Sequence, residues 1–216
     1  MVITNVMVSA ALIIISFTIS FVIFYIYSDL KREKKWKLIQ EIISQLINFI
    51  FFIWVAKILL NFSLFIKAPL TLLAYPSDSY TFYIAFIINS VLFIYINRKK
   101  RLDTTDFLEA FTIVFLTSSI IYELIDFLSN NNDRTLVYLL LLAFVLLAFL
   151  ILQGRLKPKT LLTLSSFLWS FGILLLLNFY SVITIFGYIL RLWFLPIFFV
   201  VSTLLIFLTM KEEDKQ

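Results

Sequence analysis

The chain contains no cysteine and no histidine, and only 3 of its 216 residues are glycine. Without cysteine there is no disulfide and no thiol nucleophile. Without histidine, the commonest general base and the usual zinc and haem ligand sets are excluded as well. Nothing in the sequence indicates a metal or an organic cofactor, so we expect neither. Any catalysis must rest on Asp, Glu, Arg, Lys, Tyr, Ser or Asn.

Charged side chains are also scarce, at 14% of the chain, against roughly 25% of an ordinary soluble domain. Hydrophobic residues make up 62%, phenylalanine alone accounts for 25 residues, and the mean hydropathy is +1.02. A single soluble core cannot bury so much apolar surface, so lipid must surround most of the chain. We therefore predict a multi-pass protein of a bacterial-type plasma membrane, forming a single membrane domain over residues 1–216.

The basic residues are grouped between apolar runs. Residues 29–37, 97–101, 154–159 and 211–216 hold 14 of the 18 lysines and arginines. This is the positive-inside asymmetry of a membrane protein, and it argues against a nucleic-acid partner. It places the N-terminus outside and the C-terminus inside.

Apolar runs long enough to cross about 30 Å of hydrocarbon predict an all-α bundle of about seven spans. The segment 68–80, with two prolines, is expected to lie along the outer surface or to dip into it. The last run is longer than one upright span needs, and we expect Pro196 to kink it. The predicted spans are about 4–28, 38–61, 79–97, 106–128, 135–153, 160–178 and 182–209.

A charged side chain inside a predicted span requires either a neutralising partner or a functional role. Glu123 and Asp126 share one face of the fourth span, and Arg191 lies about 13 Å into the last span by helical rise. Glu123 and Arg191 enter from the same outer side, so we expect them to form an ion pair. Such a pair would serve a functional site or simply lock two helices together. Lys57 is expected to extend its amine to the lipid head groups.

Two stretches of the sequence follow the segment order of a known membrane enzyme family. SLFIKAPLTLLAYPSDSYTFYIAF has Tyr80 where that family has the tyrosine of a Tyr-Gly pair, with Thr81 for the glycine. DTTDFLEAFTIVFLTSSIIYEL keeps the tyrosine of Gly-Ala-Arg-Leu-x-Tyr as Tyr122, with Ser119 for the arginine. Residues from about 65 to 210 thus resemble prolipoprotein diacylglyceryl transferase.

Two later motifs extend the resemblance in part. The family's Gly-Arg-x-Gly-Asn-Phe motif aligns with LLLLNFY, where Asn178 and Phe179 are kept. Its Arg-Phe-x-x-Glu motif aligns with RLWFL, where Arg191 is kept and Leu195 replaces the glutamate. The family's His-Gly-Gly element and its outer head segment are missing. Residues 1–61 read as two added N-terminal spans.

The resemblance implies an outer-leaflet cleft that admits phosphatidylglycerol, whose diacylglyceryl group passes to the cysteine thiol of a lipoprotein precursor. Arg191 would hold the phosphate and Glu123 would be the base. Tyr80, Tyr122 and Asn178 would bind substrate near the same cavity. The eroded motifs leave two alternatives open: a non-catalytic relative that binds lipid or scaffolds a partner, or a small transporter subunit.

Overall fold

The computed structural model describes residues 2–68, 78–100, 104–130 and 132–210. Most of the segment predicted to lie along the outer surface, 69–77, is outside these residues. Within them the chain forms eight helices and one short β-hairpin, which lies between the seventh and the eighth helix. The helices are α1 Val2–Tyr27, α2 Arg32–Leu60, α3 Phe62–Lys67, α4 Ser79–Lys100, α5 Thr104–Asn130, α6 Asp133–Leu152, α7 Pro158–Phe179 and α8 Phe194–Met210; the hairpin consists of β1 Ile183–Ile185 and β2 Tyr188–Leu190.

Six of the helices are long and apolar enough to cross a membrane. They are α1, α2 and α4 to α7, with mean hydropathies from 1.7 to 3.0 in their most apolar windows. Helix α8 is apolar but has only 17 residues. The prediction of an all-α, multi-pass helical bundle is therefore confirmed.

Hydroxyl side chains within these helices are mostly satisfied by the helix itself. Ser16, Ser20, Ser90 and Ser165 each donate a hydrogen bond to the carbonyl oxygen four residues earlier. This is the arrangement that lipid requires, because the bilayer core offers no water to polar groups.

The helices pack around two buried clusters. Helix α2 packs against α4, α5 packs against both α1 and α6, and α7 packs against α8. One cluster includes Phe24, Ile42, Phe107 and Phe149, and the other includes Tyr83, Leu142, Trp169 and Phe194. The hairpin contributes Ile183, Ile185 and Leu190 to the second cluster, so it is part of the bundle core.

The prediction of a continuous helical span over 182–209 is wrong at its N-terminal end. Strands β1 and β2 pair antiparallel, with Ile185 opposite Tyr188 across a two-residue turn. Both turn residues have positive φ, 47° at Phe186 and 84° at Gly187, as a type I′ hairpin requires. The hairpin segment is mostly apolar, and periodicity alone does not separate such a strand from a helix.

The shorter last helix also removes the predicted kink. Helix α8 begins at Phe194, so Pro196 lies in its first turn, where proline displaces no intrahelical hydrogen bond.

The tip of the hairpin reaches deep into the bundle. The Phe186 ring lies 5.4 Å from the rings of Phe17 and Tyr122 and 6.0 Å from that of Phe115, measured between centroids. Tyr122 and Phe115 lie about 12 and 22 Å along α5 from its end at Asn130, taking 1.5 Å of rise per residue. The hairpin is therefore re-entrant: Ile183, Ile185 and Leu190 face the bundle core, whereas Gly187 in the turn and Ile189 are exposed.

Candidate functional site

Side-chain contacts define the two ends of the bundle. Lys34 forms an ion pair with Asp106, and Gln153 donates a hydrogen bond of 2.9 Å to Glu109. These contacts join the start of α2, the start of α5 and the end of α6, which adjoin the basic segments of the sequence; we call this the basic end. The start of α4, the end of α5 and the base of the hairpin lie at the opposite end.

Arg191 lies at the opposite end, directly after β2. Its Nη1 donates a hydrogen bond of 2.9 Å to the Tyr80 hydroxyl, and the guanidinium carbon lies 4.9 Å from the centre of the Tyr80 ring. Tyr80 in turn stacks on Trp193, with 6.3 Å between ring centroids. A cation over an aromatic face is attractive, and one hydrogen bond fixes its orientation. We call Tyr80, Tyr83, Arg191 and Trp193 the Arg191 cluster.

Tyr83 is the buried member of the Arg191 cluster and holds it in place. Its hydroxyl donates a hydrogen bond of 2.8 Å to the Ile189 carbonyl and accepts one of 2.9 Å from the Arg191 backbone N–H. Its ring stacks on Phe194 at a centroid distance of 3.9 Å. One phenol thus satisfies two backbone groups at the end of β2 and holds this turn against α4.

The outer part of the cluster is accessible. Tyr80 is 41% exposed and Trp193 46% exposed, and Arg191 is exposed beside them. Tyrosine, tryptophan and arginine together at the end of a membrane bundle are typical of the lipid–water interface. The planar guanidinium has five N–H donors, of which one is directed at Tyr80. The others are suited to bidentate binding of a phosphate or carboxylate.

A second charged pair lies on the same side of the bundle. Asp78 precedes α4 and accepts a hydrogen bond of 2.9 Å from the Thr81 backbone N–H, so it caps the helix. Lys57 on α2 interacts electrostatically with Asp78 and is only 4% exposed. The prediction that Lys57 extends to the lipid head groups is therefore wrong, because protein covers the side chain.

The predicted ion pair between Glu123 and Arg191 is not present in the described structure. The charged side chains that interact electrostatically with Glu123 are Asp126 and Arg134. Arg191 contacts Tyr80 instead. The physical reason is the hairpin: Arg191 lies at the end of a strand held to α4, rather than on a helix facing α5.

The other residues expected near Arg191 lie in different places. Tyr122 lies beside the hairpin tip, and its hydroxyl is 3.6 Å from where a Cβ on Gly187 would be. Asn178 is exposed near the end of α7 and donates to the Leu174 carbonyl of its own helix. Of the predicted substrate-binding residues, Tyr80 is the one in contact with Arg191.

Sequence reasoning missed Tyr83 and Trp193. Trp193 follows Arg191 by two residues, and an arginine beside a tryptophan at a span boundary is an interface pattern. Tyr83 offers no such pattern, because its role depends on the re-entrant hairpin that the sequence did not predict.

A separate polar group joins α5 to α6 at this end. Asp126 accepts hydrogen bonds from the Asn130 amide at 2.8 Å and from the Thr135 hydroxyl at 3.0 Å. Next to it is an open cavity of about 550 Å³ whose lining is mostly polar. The lining residues are Asn130, Asn132, Asp133, Arg134, Tyr180, Ser181 and Val182.

Comparison of the chain with protein-family models, with curated proteins and with solved structures finds no match. The resemblance to the diacylglyceryl transferases therefore stays a prediction from the sequence.

Proposed function

We propose that this multi-pass protein binds the phosphate-bearing head group of a phospholipid, phosphatidylglycerol-like, at the Arg191 cluster in the outer leaflet of a bacterial plasma membrane. The observation that supports this most directly is the position of Arg191. Its guanidinium is held over Tyr80 by one hydrogen bond, at an exposed aromatic surface.

The environment of the cluster matches the two parts of a phospholipid. Arg191 supplies the positive charge and the planar donors that a phosphodiester accepts. The neighbouring Leu192 and Trp193 are exposed and offer apolar surface to glycerol and acyl carbons. Tyrosine and tryptophan rings favour this boundary between head group and hydrocarbon.

The same geometry favours binding over diacylglyceryl transfer. Transfer to a lipoprotein precursor requires a group that takes the thiol proton close to the bound lipid. The residue expected in that role, Glu123, is buried on α5 and does not contact Arg191. A lipid-binding protein that presents or senses its lipid is therefore the better supported candidate, and transfer is the alternative.

Native mass spectrometry of the detergent-purified protein with phosphatidylglycerol tests the proposal. We expect bound lipid in the wild type and an approximately tenfold weaker affinity in Arg191→Ala, the equivalent of one lost charge-assisted interaction. Arg191→Lys should retain only part of the wild-type lipid affinity, because lysine lacks the planar arrangement of donors that arginine has. Arg155→Ala removes an exposed arginine at the basic end and is the matched control.

Equal loss in Arg155→Ala and Arg191→Ala would reject the site, because it would mean that net charge alone governs binding. Full binding by Arg191→Ala would reject it as well. Adding a lipobox peptide with its cysteine to the same protein tests transfer: a thiol-linked diacylglyceryl product would show that the protein is an enzyme.

A further inference from the structure

Two buried oxygen-bearing groups lie one helical turn apart on α5, away from the Arg191 cluster. Ser119 is 4% exposed and Glu123 is 5% exposed. Residues four apart share a helix face, with Cβ atoms about 5–6 Å from each other. Both side chains therefore face the same part of the bundle interior.

Ser119 differs from most hydroxyl residues of the bundle. Where Ser16, Ser90 and Ser165 donate to the carbonyl four residues earlier, Ser119 Oγ has no hydrogen-bond partner among the described residues. The hydroxyls of Thr163 and Thr203 share this property, but neither has a carboxylate within one turn of its own helix. A buried polar atom without a partner is costly, so its orientation calls for an explanation.

The Glu123 carboxylate is in the same situation. Within the described ranges it forms neither a hydrogen bond nor an ion pair. A buried carboxylate inside a membrane bundle is stabilised only by a cation, a hydrogen-bond donor or a proton. Tyr138 on α6 is buried, its hydroxyl also has no hydrogen-bond partner among the described residues, and it interacts electrostatically with Glu123. It is therefore a third oxygen-bearing side chain, near the carboxylate.

We propose that Ser119, Glu123 and Tyr138 form a binding site for a small monovalent cation of the sodium class. Hard cations bind oxygen ligands, and a carboxylate, a hydroxyl and a phenol supply three of them. When ionised, Glu123 and Asp126 carry two negative charges against one positive charge on Arg134, which leaves a single negative charge for a monovalent cation. Among the residues that the structure describes, no group of three or more acidic, histidine or cysteine side chains is placed to hold a metal ion, which argues against a divalent ion here.

A second acidic side chain lies between Glu123 and the opposite end of the bundle. Asp126 lies one turn beyond Glu123 on α5 and interacts with it electrostatically. Asp126 accepts a hydrogen bond from Asn130, which lines the open cavity near the end of α5 together with Arg134. A cation entering there would pass Arg134 at the cavity and then meet Asp126 before Glu123, so the two carboxylates together must outweigh the arginine.

Binding of radioactive sodium to the purified protein, measured by scintillation proximity, tests this site. We expect saturable binding that unlabelled sodium displaces and choline does not. Glu123→Gln should abolish it, and Ser119→Ala should weaken it about tenfold through the loss of one ligand. Glu109→Gln removes a carboxylate at the basic end and should bind like the wild type.

A second readout separates binding from folding. Sodium should raise the unfolding temperature of the wild type relative to choline at equal ionic strength, because it binds only the folded state. Ser119→Ala removes one oxygen atom and keeps the fold testable if Glu123→Gln does not fold. No displaceable sodium in the folded wild type would overturn the proposal and leave a neutral, protonated Glu123, and equal binding by Glu123→Gln would also overturn it.

Discussion

Tyr83 and Arg191 are joined through the backbone rather than through their charges. The Arg191 amide donates a hydrogen bond of 2.9 Å to the Tyr83 phenol, which itself donates to the Ile189 carbonyl. The guanidinium is then free to turn outward, where its Nη1 contacts Tyr80. A buried tyrosine thus positions the exposed arginine that the proposed lipid site requires.

Tyr83→Phe tests this positioning role. The substitution keeps the ring stacked on Phe194 but leaves the Ile189 carbonyl and the Arg191 N–H without their partner, which should cost about 1–3 kcal/mol. We expect a lower unfolding temperature, faster amide exchange over residues 188–192 and weaker phosphatidylglycerol binding. The control is Tyr27→Phe, an exposed tyrosine at the basic end, which should change none of these.

Unchanged exchange over 188–192 in Tyr83→Phe would contradict the anchoring role, even if lipid binding fell. Lost lipid binding with normal exchange would mean that the hydroxyl contacts the lipid directly.

Gly187→Ala tests the turn that carries the hairpin. Gly187 has a φ of +84°, and a Cβ at this position would lie 3.6 Å from the Tyr122 hydroxyl, an ordinary van der Waals contact. The destabilisation by alanine therefore comes from the backbone conformation and not from a steric clash. A left-handed alanine is disfavoured by roughly 1–2 kcal/mol. Gly154→Ala is the matched control, because Gly154 has a φ of +78° in the loop at the basic end with open space around it.

Both glycine variants should lose comparable stability in thermal unfolding, and only Gly187→Ala should weaken phosphatidylglycerol binding. Equal weakening in the two variants would show that binding follows global stability, and the hairpin would then have no special part in holding Arg191.

Thr135→Val tests the polar connection between α5 and α6. Valine keeps the size of threonine but removes the hydroxyl that donates to Asp126 at 3.0 Å. Because the acceptor is charged, we expect a loss of about 2 kcal/mol in the free energy of unfolding. Thr18→Val, which removes an exposed hydroxyl bonded within its own helix, should cost much less, and equal losses would contradict the connection.

The bundle itself was predictable from the sequence, and the reason is physical. Apolar runs of span length have few alternatives in lipid, so helices α1, α2 and α4 to α7 appear close to where hydropathy places them. The hairpin was not predictable, because VITIFGYIL is apolar at every position except Thr184, Gly187 and Tyr188 and gives no helix or strand period. The Phe-Gly turn was the available signal.

The error in the hairpin explains the error in the site. Placing Arg191 on a helix gave it the depth of Glu123 and made an ion pair the natural expectation. A strand ending at Leu190 instead turns Arg191 toward Tyr80 and Tyr83 on α4. Glu123 then lies without that partner, which is why it required a different explanation.

Orientation in the membrane decides whether the Arg191 cluster can meet the outer leaflet, and the absence of cysteine makes it directly measurable. Single cysteines can be introduced without background at the two ends of α7, as Ser181→Cys at the opposite end and Lys157→Cys at the basic end; both positions are exposed. The grouping of basic residues predicts that the basic end faces the cytoplasm. A membrane-impermeant maleimide should therefore label Ser181→Cys in intact cells and Lys157→Cys only after permeabilisation. The reverse pattern would place Arg191 in the inner leaflet and reject the outer-leaflet site, while labelling of both in intact cells would mean that α7 does not span the membrane.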